Sequence, residues 1–122
     1  MRSKWMPHQG KLILYADYTN YRPEDFEALR AELLAVEAEI CSRPENSVLS
    51  LTDVRGSIAT REAVELFKKS APVAKKHILR QAVVGVTGVK KILFDAVVRI
   101  SGQNAKTFDD TEKAKDWLVK ED

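Results

Sequence analysis

Residues 46–67 read NSVLSLTDVRGSIATREAVELF and place a strand, a polar loop and a helix start in direct succession. Val48, Leu49 and Leu51 form a short apolar run that is typical of a buried strand. Thr60 stands before the next helical stretch, where its hydroxyl can cap free backbone N–H groups. We interpret the polar loop between them as the candidate functional site. Its candidate residues are Asp53, Arg55, Gly56, Ser57 and Thr60.

The sequence on both sides of this stretch predicts alternating strands and helices. Residues 11–18 and 81–86 are rich in apolar, aromatic and β-branched side chains, which predicts two more strands. Residues 105–108 predict a short fourth strand. Apolar residues recur at helical spacing over residues 23–41 and 89–101, which predicts helices there. Two further helices are predicted after the second and the fourth strand.

Two helix boundaries are predicted from single residues. Pro72 falls inside the predicted second helix, which therefore either ends near Ser70 or kinks and restarts. Asp109 followed by Glu112 has the form of a capping box, which predicts that the last helix opens there.

Two other segments are interpreted from their composition. Residues 1–10 contain Pro7 and Gly10 and show no periodicity, so we interpret them as an N-terminal tail or an irregular lead-in. Cys41 falls on the apolar stripe of the first helix, which favours a buried thiol. Because it is the single cysteine, it has no internal disulfide partner, as in a reducing cytosol.

The element order β-α-β-α-β-α-β-α predicts a single α/β domain over residues 11–122. Helices of these lengths return the chain for a parallel strand, so we expect a sandwich with a four-stranded, mainly parallel sheet and about four helices. Ligands of such sheets bind at the edge where the strands end, and helix starts there suit anions, although capping explains the same residues. The ligand or anion candidates at this edge are Asp17, Thr87, Gly88, Lys90 and Lys91.

The composition excludes some classes of function. A chain of 122 residues with 44% apolar residues can bury one modest core. Its 20 basic and 18 acidic residues give a formal net charge of +2, far below that of a dedicated nucleic-acid binder. No apolar stretch is long enough to span a bilayer, so we expect a cytoplasmic protein without an integral membrane segment.

The sequence contains no pattern that defines a catalytic or metal site. His8 and His77 lie far apart, and no nucleophile motif accompanies either of them. The segment GVTGVKK at residues 85–91 lacks the spacing of a phosphate-binding loop. Asp17 and Asp53 could ligate a metal or form an acid–base pair, but no third ligand is spaced to join them. We therefore expect no enzymatic activity, no cofactor and no metal.

Three motifs together resemble one known family. They are the strand that ends in an aspartate before a Gly-Ser loop, the segment AVVGVTGVKKILFDAVVRISG and the segment FDDTEKAKDWL. They resemble the STAS-like proteins, a group that contains the sporulation anti-sigma factor antagonists and the CRAL-TRIO lipid-transfer fold. The resemblance covers about residues 11–120.

The resemblance implies a non-enzymatic regulatory module that contacts a protein partner, such as a regulator or a kinase, through the loop after the second strand. In the anti-sigma factor antagonists, a serine or threonine at the start of the helix after the central strand is phosphorylated. Ser57 is the nearest equivalent, followed by Thr60. A phosphate at a helix start adds negative charge where the helix dipole can hold it.

The lipid-transfer branch of the family implies an alternative function. A small apolar or lipid-like ligand would lie between a helix and the sheet, in an apolar pocket with a few polar groups at the loop edge. The same residues are equally explained as core. A homodimer is also compatible with the sequence, because the edges of small sheets need cover. The residues predicted to line the pocket are Phe67, Ile78, Leu79, Phe94 and Val98.

Overall fold

The computed structural model describes residues 1–88, 90, 91, 95 and 105–121. In this part of the chain five strands and three α-helices are present. The predicted helix over residues 89–101 falls mostly outside the described residues. The elements are β1 (Lys4–His8), β2 (Lys11–Asp17), α1 (Phe26–Cys41), β3 (Val48–Asp53), α2 (Arg61–Lys75), β4 (Ile78–Val84), β5 (Ala105–Phe108) and α3 (Thr111–Val119), with a 3-10 turn at Pro23–Asp25.

The strands form one mixed sheet in the order β1-β2-β3-β4-β5. The pairs β2–β3, β3–β4 and β4–β5 are parallel, whereas β1 pairs with β2 antiparallel. The α/β architecture and the parallel order are therefore confirmed, and the expected count of four strands is wrong by one edge strand.

The additional strand lies where an irregular lead-in was expected. β1 and β2 form a hairpin through Gln9 and Gly10, whose φ angles of 49° and 81° are those that tight hairpin turns need. Pro7 sits opposite Leu12 in this pair, on a strand whose other edge has no partner in the described sheet. Proline is tolerated on edge strands, where one missing N–H breaks no ladder. The interpretation of residues 1–10 as a tail is thus wrong for Lys4–His8.

The two faces of the sheet carry different helices. Alternate side chains of β2 and β3, including Leu14 and Val48, pack with α1 and α2 in one buried cluster. The intervening side chains, including Ile13 and Leu51, pack with α3 in a second buried cluster. This three-layer arrangement leaves the ends of the parallel strands, and the loops after them, together at one edge of the sheet.

The helix boundaries differ in detail from those predicted. α2 runs to Lys75 with Pro72 inside it, so an end near Ser70 is wrong. The N-cap of α3 is Asp110 and not Asp109, because the extended backbone at Asp110 lets its side chain accept the Glu112 N–H at 2.8 Å. None of the helices in the described ranges is long and apolar enough to cross a membrane.

The cysteine is also placed differently. Cys41 is exposed, because it is the last residue of α1 and the preceding Ile40 fills the buried position there. The expected buried thiol is therefore wrong.

Candidate functional site

The loop between β3 and α2, residues 54–60, begins at a buried carboxylate. None of the Asp53 side chain is exposed. Its oxygens accept hydrogen bonds from the Tyr15 hydroxyl at 2.7 Å and from the Arg55 backbone N–H at 3.1 Å. The Arg55 guanidinium adds bonds from Nε at 3.0 Å and from Nη2 at 2.6 Å, a two-pronged ion pair of the strong kind. Asp53 therefore anchors the loop to the end of the sheet.

The interactions within this cluster keep both Asp53 and Arg55 charged. Burial acts to raise the pKa of the Asp53 carboxyl, but the hydrogen bonds from Arg55 and Tyr15 together hold this pKa below its ordinary value. The hydrogen bond to Asp53 raises the pKa of the Arg55 guanidinium. Burial, with the bond to Asp53, raises the pKa of Tyr15 to about 12. At neutral pH the carboxyl therefore has no proton to donate.

Two glycines let other segments approach the loop closely. Gly56 has a φ angle of 75°, and a Cβ there would overlap the side-chain oxygen of Asn20. Gly85, at the end of β4, has a φ angle of 96°, and a Cβ there would lie 2.7 Å from the backbone nitrogen of Arg55. The loop is thus packed between the segments that follow β2 and β4.

Ser57 joins the loop to the segment after β2. Its hydroxyl donates to the Tyr18 carbonyl and accepts the Tyr21 N–H at 2.8 Å. The Ile58 N–H donates to the Tyr21 carbonyl at 3.0 Å, and the Asn20 N–H donates to the Arg55 carbonyl at 3.0 Å. The loop backbone is consequently fixed at several points, while the Ile58 side chain remains 53% exposed.

Thr60 has the role that its position predicts. It is the N-cap of α2, and its Oγ1 accepts the Ala63 N–H at 3.1 Å. Capping accounts for this residue without any ligand.

The structure does not bring the second group of candidates, predicted for a ligand or anion, to one point. Lys90 alone reaches the loop, where its amino group donates to the Val54 carbonyl at 3.1 Å. Lys91 pairs with Asp95 at 2.9 Å on its own helical turn. Thr87 and Gly88 are exposed, and their carbonyls accept the N–H groups of Lys90 and Lys91 at 3.1 Å.

Asp17 is held in a separate cluster at the end of β2. Its Oδ1 accepts bonds from Arg2 at 2.9 Å and from the Thr19 hydroxyl at 2.7 Å. Burial acts to raise the pKa of Asp17, but these bonds keep it below the ordinary value. Asp17 and Asp53 thus face separate arginines. Within the described residues no three His, Cys, Asp or Glu side chains are grouped as metal ligands.

A cavity of about 180 Å³ lies between α1, α2 and the sheet, and the loop forms part of its wall. Val54, Ser57, Ile58 and Ala59 contribute this part. Of the pocket residues predicted from the sequence, Phe67 and Ile78 line the cavity. Leu79 is 47% exposed and lies elsewhere, and Phe94 and Val98 fall outside the described residues.

Three polar side chains on the sheet form the floor of this cavity, and sequence reasoning missed them. They are Ser50 and Thr52 of β3 and Gln81 of β4. Ser50 is 1% exposed and lies opposite Gln81 in the parallel register. The alternation Val48, Ser50, Thr52 was a signal for them, because a core-facing row of a strand is normally apolar throughout.

The fold has a known counterpart among solved structures. No family model matches the sequence, and no curated protein matches it. The chain is similar to the crystal structure of an uncharacterised protein of the DUF3478 family with a SpoIIAA-like fold, from Shewanella loihica PV-4. The TM-score is 0.71, with 18% identity over 96% of this chain and 92% of that chain. The chain therefore has a SpoIIAA-like fold, which confirms the STAS-like fold that the sequence motifs predict.

Proposed function

We propose that the protein is a non-enzymatic, cytoplasmic STAS-like module that contacts a protein partner through the β3–α2 loop. The observation that supports this proposal is the combination of a fixed loop backbone with an exposed apolar side chain at its tip. Ile58 is 53% exposed although its own N–H is bonded to the Tyr21 carbonyl. A preorganised loop loses little conformational entropy on binding, which favours affinity.

The residues around Ile58 also suit a protein interface. Arg55 lies three positions earlier, with 55% of its side chain exposed and its charge kept by Asp53. Arginine is enriched at interfaces and among the few residues that account for most of the binding energy, and the buried centre of an interface is more apolar than the rest of the surface. The Asp53–Arg55 pair thus supports the loop and keeps an exposed cation on the same loop as Ile58.

A photo-crosslinking amino acid in place of Ile58 tests the partner contact. In the native cells, we expect a covalent adduct with one partner of defined mass after irradiation. Leu34, which is 46% exposed on α1, is the matched control position. Adducts of equal yield at both positions, or none at position 58, would contradict the proposal.

Phosphorylation of Ser57 is the second part of the proposal. The Ser57 hydroxyl holds the loop to the segment after β2 through its two hydrogen bonds. A phosphorylated serine has no O–H to donate to the Tyr18 carbonyl, and it adds nearly two negative charges beside the loop. Modification would therefore release the loop from the segment after β2 and change the surface around Ile58.

Intact mass measurement after incubation with ATP and an extract of the native cells tests this part. We expect a gain of one phosphate that is lost in Ser57→Ala and kept in Ser47→Ala, since Ser47 is an exposed serine outside the loop. If the added phosphate is lost only in Thr60→Ala, the phosphorylated residue is Thr60, the N-cap of α2. If the protein never gains phosphate, phosphoregulation is contradicted. The proposed partner contact is not affected by that result, because the crosslinking experiment tests it separately.

The cavity favours a second candidate function, the binding of a small apolar molecule. Its volume of about 180 Å³ and its mainly aliphatic and aromatic lining resemble small-molecule sites in kind, although it is smaller than most of them. Toluene is a suitable probe, and we expect saturable binding by calorimetry together with amide shifts confined to cavity residues. The absence of any binding up to its solubility limit would exclude this function.

A further inference from the structure

An open groove lies at the edge of the sheet where the parallel strands begin, opposite to the β3–α2 loop. Its lining comes from the first residues of β2, β3 and β4, the C-terminal end of α3 and the segment after α1. Two large apolar side chains in it are exposed, Leu12 of β2 to 51% and Leu79 of β4 to 47%. Isolated exposed leucines need no explanation, whereas apolar side chains grouped in one groove are typical of binding surfaces.

A β-bulge places Leu79 in this groove. Val48 of β3 lies opposite Ile78, and the next residue, Leu49, lies opposite Arg80. Leu79 is therefore an extra residue in β4, and it belongs to neither of the two buried clusters. Bulges are rare between parallel strands, and they often re-aim a side chain next to an active site. The exposure of Leu79 is thus a consequence of the bulge.

The separation of the two leucines indicates the size of a molecule that contacts both. Because β3 lies between β2 and β4, the backbones that carry Leu12 and Leu79 are about 10 Å apart, which is two interstrand spacings. A small anion cannot contact both side chains. An extended peptide covers this distance with about three residues, at about 3.3 Å per residue.

The charge of the groove indicates the chemistry of such a peptide. The described lining contains four cationic side chains against one carboxylate, that of Glu121, whereas the whole chain has a net charge of only +2. The groove is therefore complementary to a negatively charged partner. The four cationic residues are Lys11, Arg43, Arg80 and Lys120.

Two of these cations have a structural role at the C-terminal end of α3. Lys11 Nζ donates to the Val119 carbonyl at 3.2 Å, and Arg80 Nη1 donates to the Lys120 carbonyl at 2.6 Å. Cations at this position bond the last carbonyls of a helix and offset the negative end of its dipole. Lys11 and Arg80 thus fix the wall of the groove.

The other two cations, Arg43 and Lys120, remain for a ligand. Both are exposed, and neither pairs with a carboxylate among the described residues. Arg43 stacks on the Trp5 ring, with its Cζ 4.2 Å from the ring centroid. Stacking occupies the flat face of the guanidinium and leaves its in-plane N–H donors available for a carboxylate.

We propose that this groove binds an acidic peptide segment of a partner protein. Apolar side chains of the segment pack on Leu12 and Leu79, and its carboxylates pair with Arg43 and Lys120. A concave groove suits a peptide better than it suits the flat surface of a bilayer. The site is separate from the β3–α2 loop, so the proposal does not depend on the functions proposed above.

Selection from a library of short random peptides, displayed on phage and presented to the intact protein, tests the proposal. We expect the enriched peptides to combine Asp or Glu with apolar residues. The Kd of a synthetic copy, measured by fluorescence anisotropy, should rise at least about tenfold in Arg43→Glu and in Leu79→Gln. Charge reversal repels the carboxylates of the peptide, and glutamine removes the apolar contact.

Two exposed residues of α1 that do not line the groove provide the matched controls. They are Arg30, whose side chain is 54% exposed, and Leu34, which is 46% exposed. Arg30→Glu and Leu34→Gln should change the Kd by less than about twofold. If Arg43→Glu does not fold because Trp5 is no longer covered, Lys120→Glu takes its place with the same expected rise.

Three results would overturn the proposal. The first is a selection that enriches no acidic peptides. The second is a set of peptides whose Kd rises in Ile58→Gln and not in Arg43→Glu or Leu79→Gln, since these peptides bind at the β3–α2 loop. The third is binding to phosphatidylserine vesicles that Leu79→Gln abolishes, without any selected peptide, which would identify a membrane surface as the partner of the groove.

Discussion

Replacement of Arg55 by methionine is expected to destabilise the protein by about 3–5 kcal/mol, the cost of leaving a buried charge without its partner. Asp53 has no exposed side-chain surface, and Arg55 supplies three of its hydrogen-bond donors. In Arg55→Met the side-chain donors are lost, so the carboxylate keeps only the Tyr15 hydroxyl and one backbone N–H. Chemical denaturation at neutral pH measures the loss as a change in the free energy of unfolding.

The pH dependence of this loss has a definite sign. In the intact protein the folded-state pKa of Asp53 lies below the unfolded value, so its contribution is present above about pH 4 and is lost as the pH falls further. In Arg55→Met the buried carboxyl loses its cation, and we expect its pKa to rise above the unfolded value. A lower pH then protonates the buried Asp53 carboxyl of the variant, which removes the cost of the unpaired charge. The difference in unfolding free energy should therefore shrink as the pH is lowered from 7 toward 4.

A surface arginine provides the matched control. Arg22 pairs with Glu24 at 3.2 Å, but both side chains are about 70% exposed. Arg22→Met should cost less than about 1 kcal/mol, as exposed pairs do. A loss in Arg55→Met that is no larger than this, or one that stays constant down to pH 4, would show that the Asp53 carboxylate is not held as described.

The second large effect is expected at Gly85. Alanine there must adopt a φ angle near 96°, and its Cβ would meet the backbone of Arg55, at 2.7 Å from the nitrogen and 2.9 Å from the Cα. Because both atoms belong to backbone, the clash cannot be relieved by rotation of a side chain. We expect a loss of about 2–5 kcal/mol, the sum of a left-handed alanine and an overpacked contact. Chemical denaturation of Gly85→Ala measures it.

Gly10→Ala separates the two causes. Gly10 has a similar φ angle of 81°, but no atom lies within 4 Å of the position that a Cβ would take. This variant should lose only the conformational part, about 1–2 kcal/mol. Equal losses in the two variants would mean that the close approach of β4 to the loop does not contribute.

Local patterns predict most of the secondary structure. The spacing of Leu29, Leu33, Val36 and Ile40 along α1 is reproduced by their burial, and Thr60 caps α2 as expected. Such features depend on neighbours within a few residues. β1 was missed because its residues alternate only weakly between exposed and half-buried, as on an edge strand. Its stability comes from pairing with β2, which no local pattern reports.

In the candidate site, too, contacts between residues that are distant in the sequence could not be predicted from local patterns. The sequence places Asp53, Arg55 and Ser57 in one loop, but it does not indicate that Tyr15 from β2 would bond to Asp53. Nor does it place Gln81 beside Thr52, because that contact depends on the register of β3 against β4. Pairings between strands are set by the whole core and not by adjacent residues. The roles of individual side chains in the site therefore become visible only in three dimensions.

The contact between the loop and the cavity has a consequence for the energetic coupling of two binding sites. Four loop residues line the cavity, namely Val54, Ser57, Ile58 and Ala59. A molecule inside the cavity and a partner bound at Ile58 would both contact this loop. If cavity occupancy shifts this loop, the affinity for the partner changes by some factor, and the partner must change the affinity for the molecule by the same factor. A fold of this size would then couple two binding equilibria through one loop, without any movement between domains.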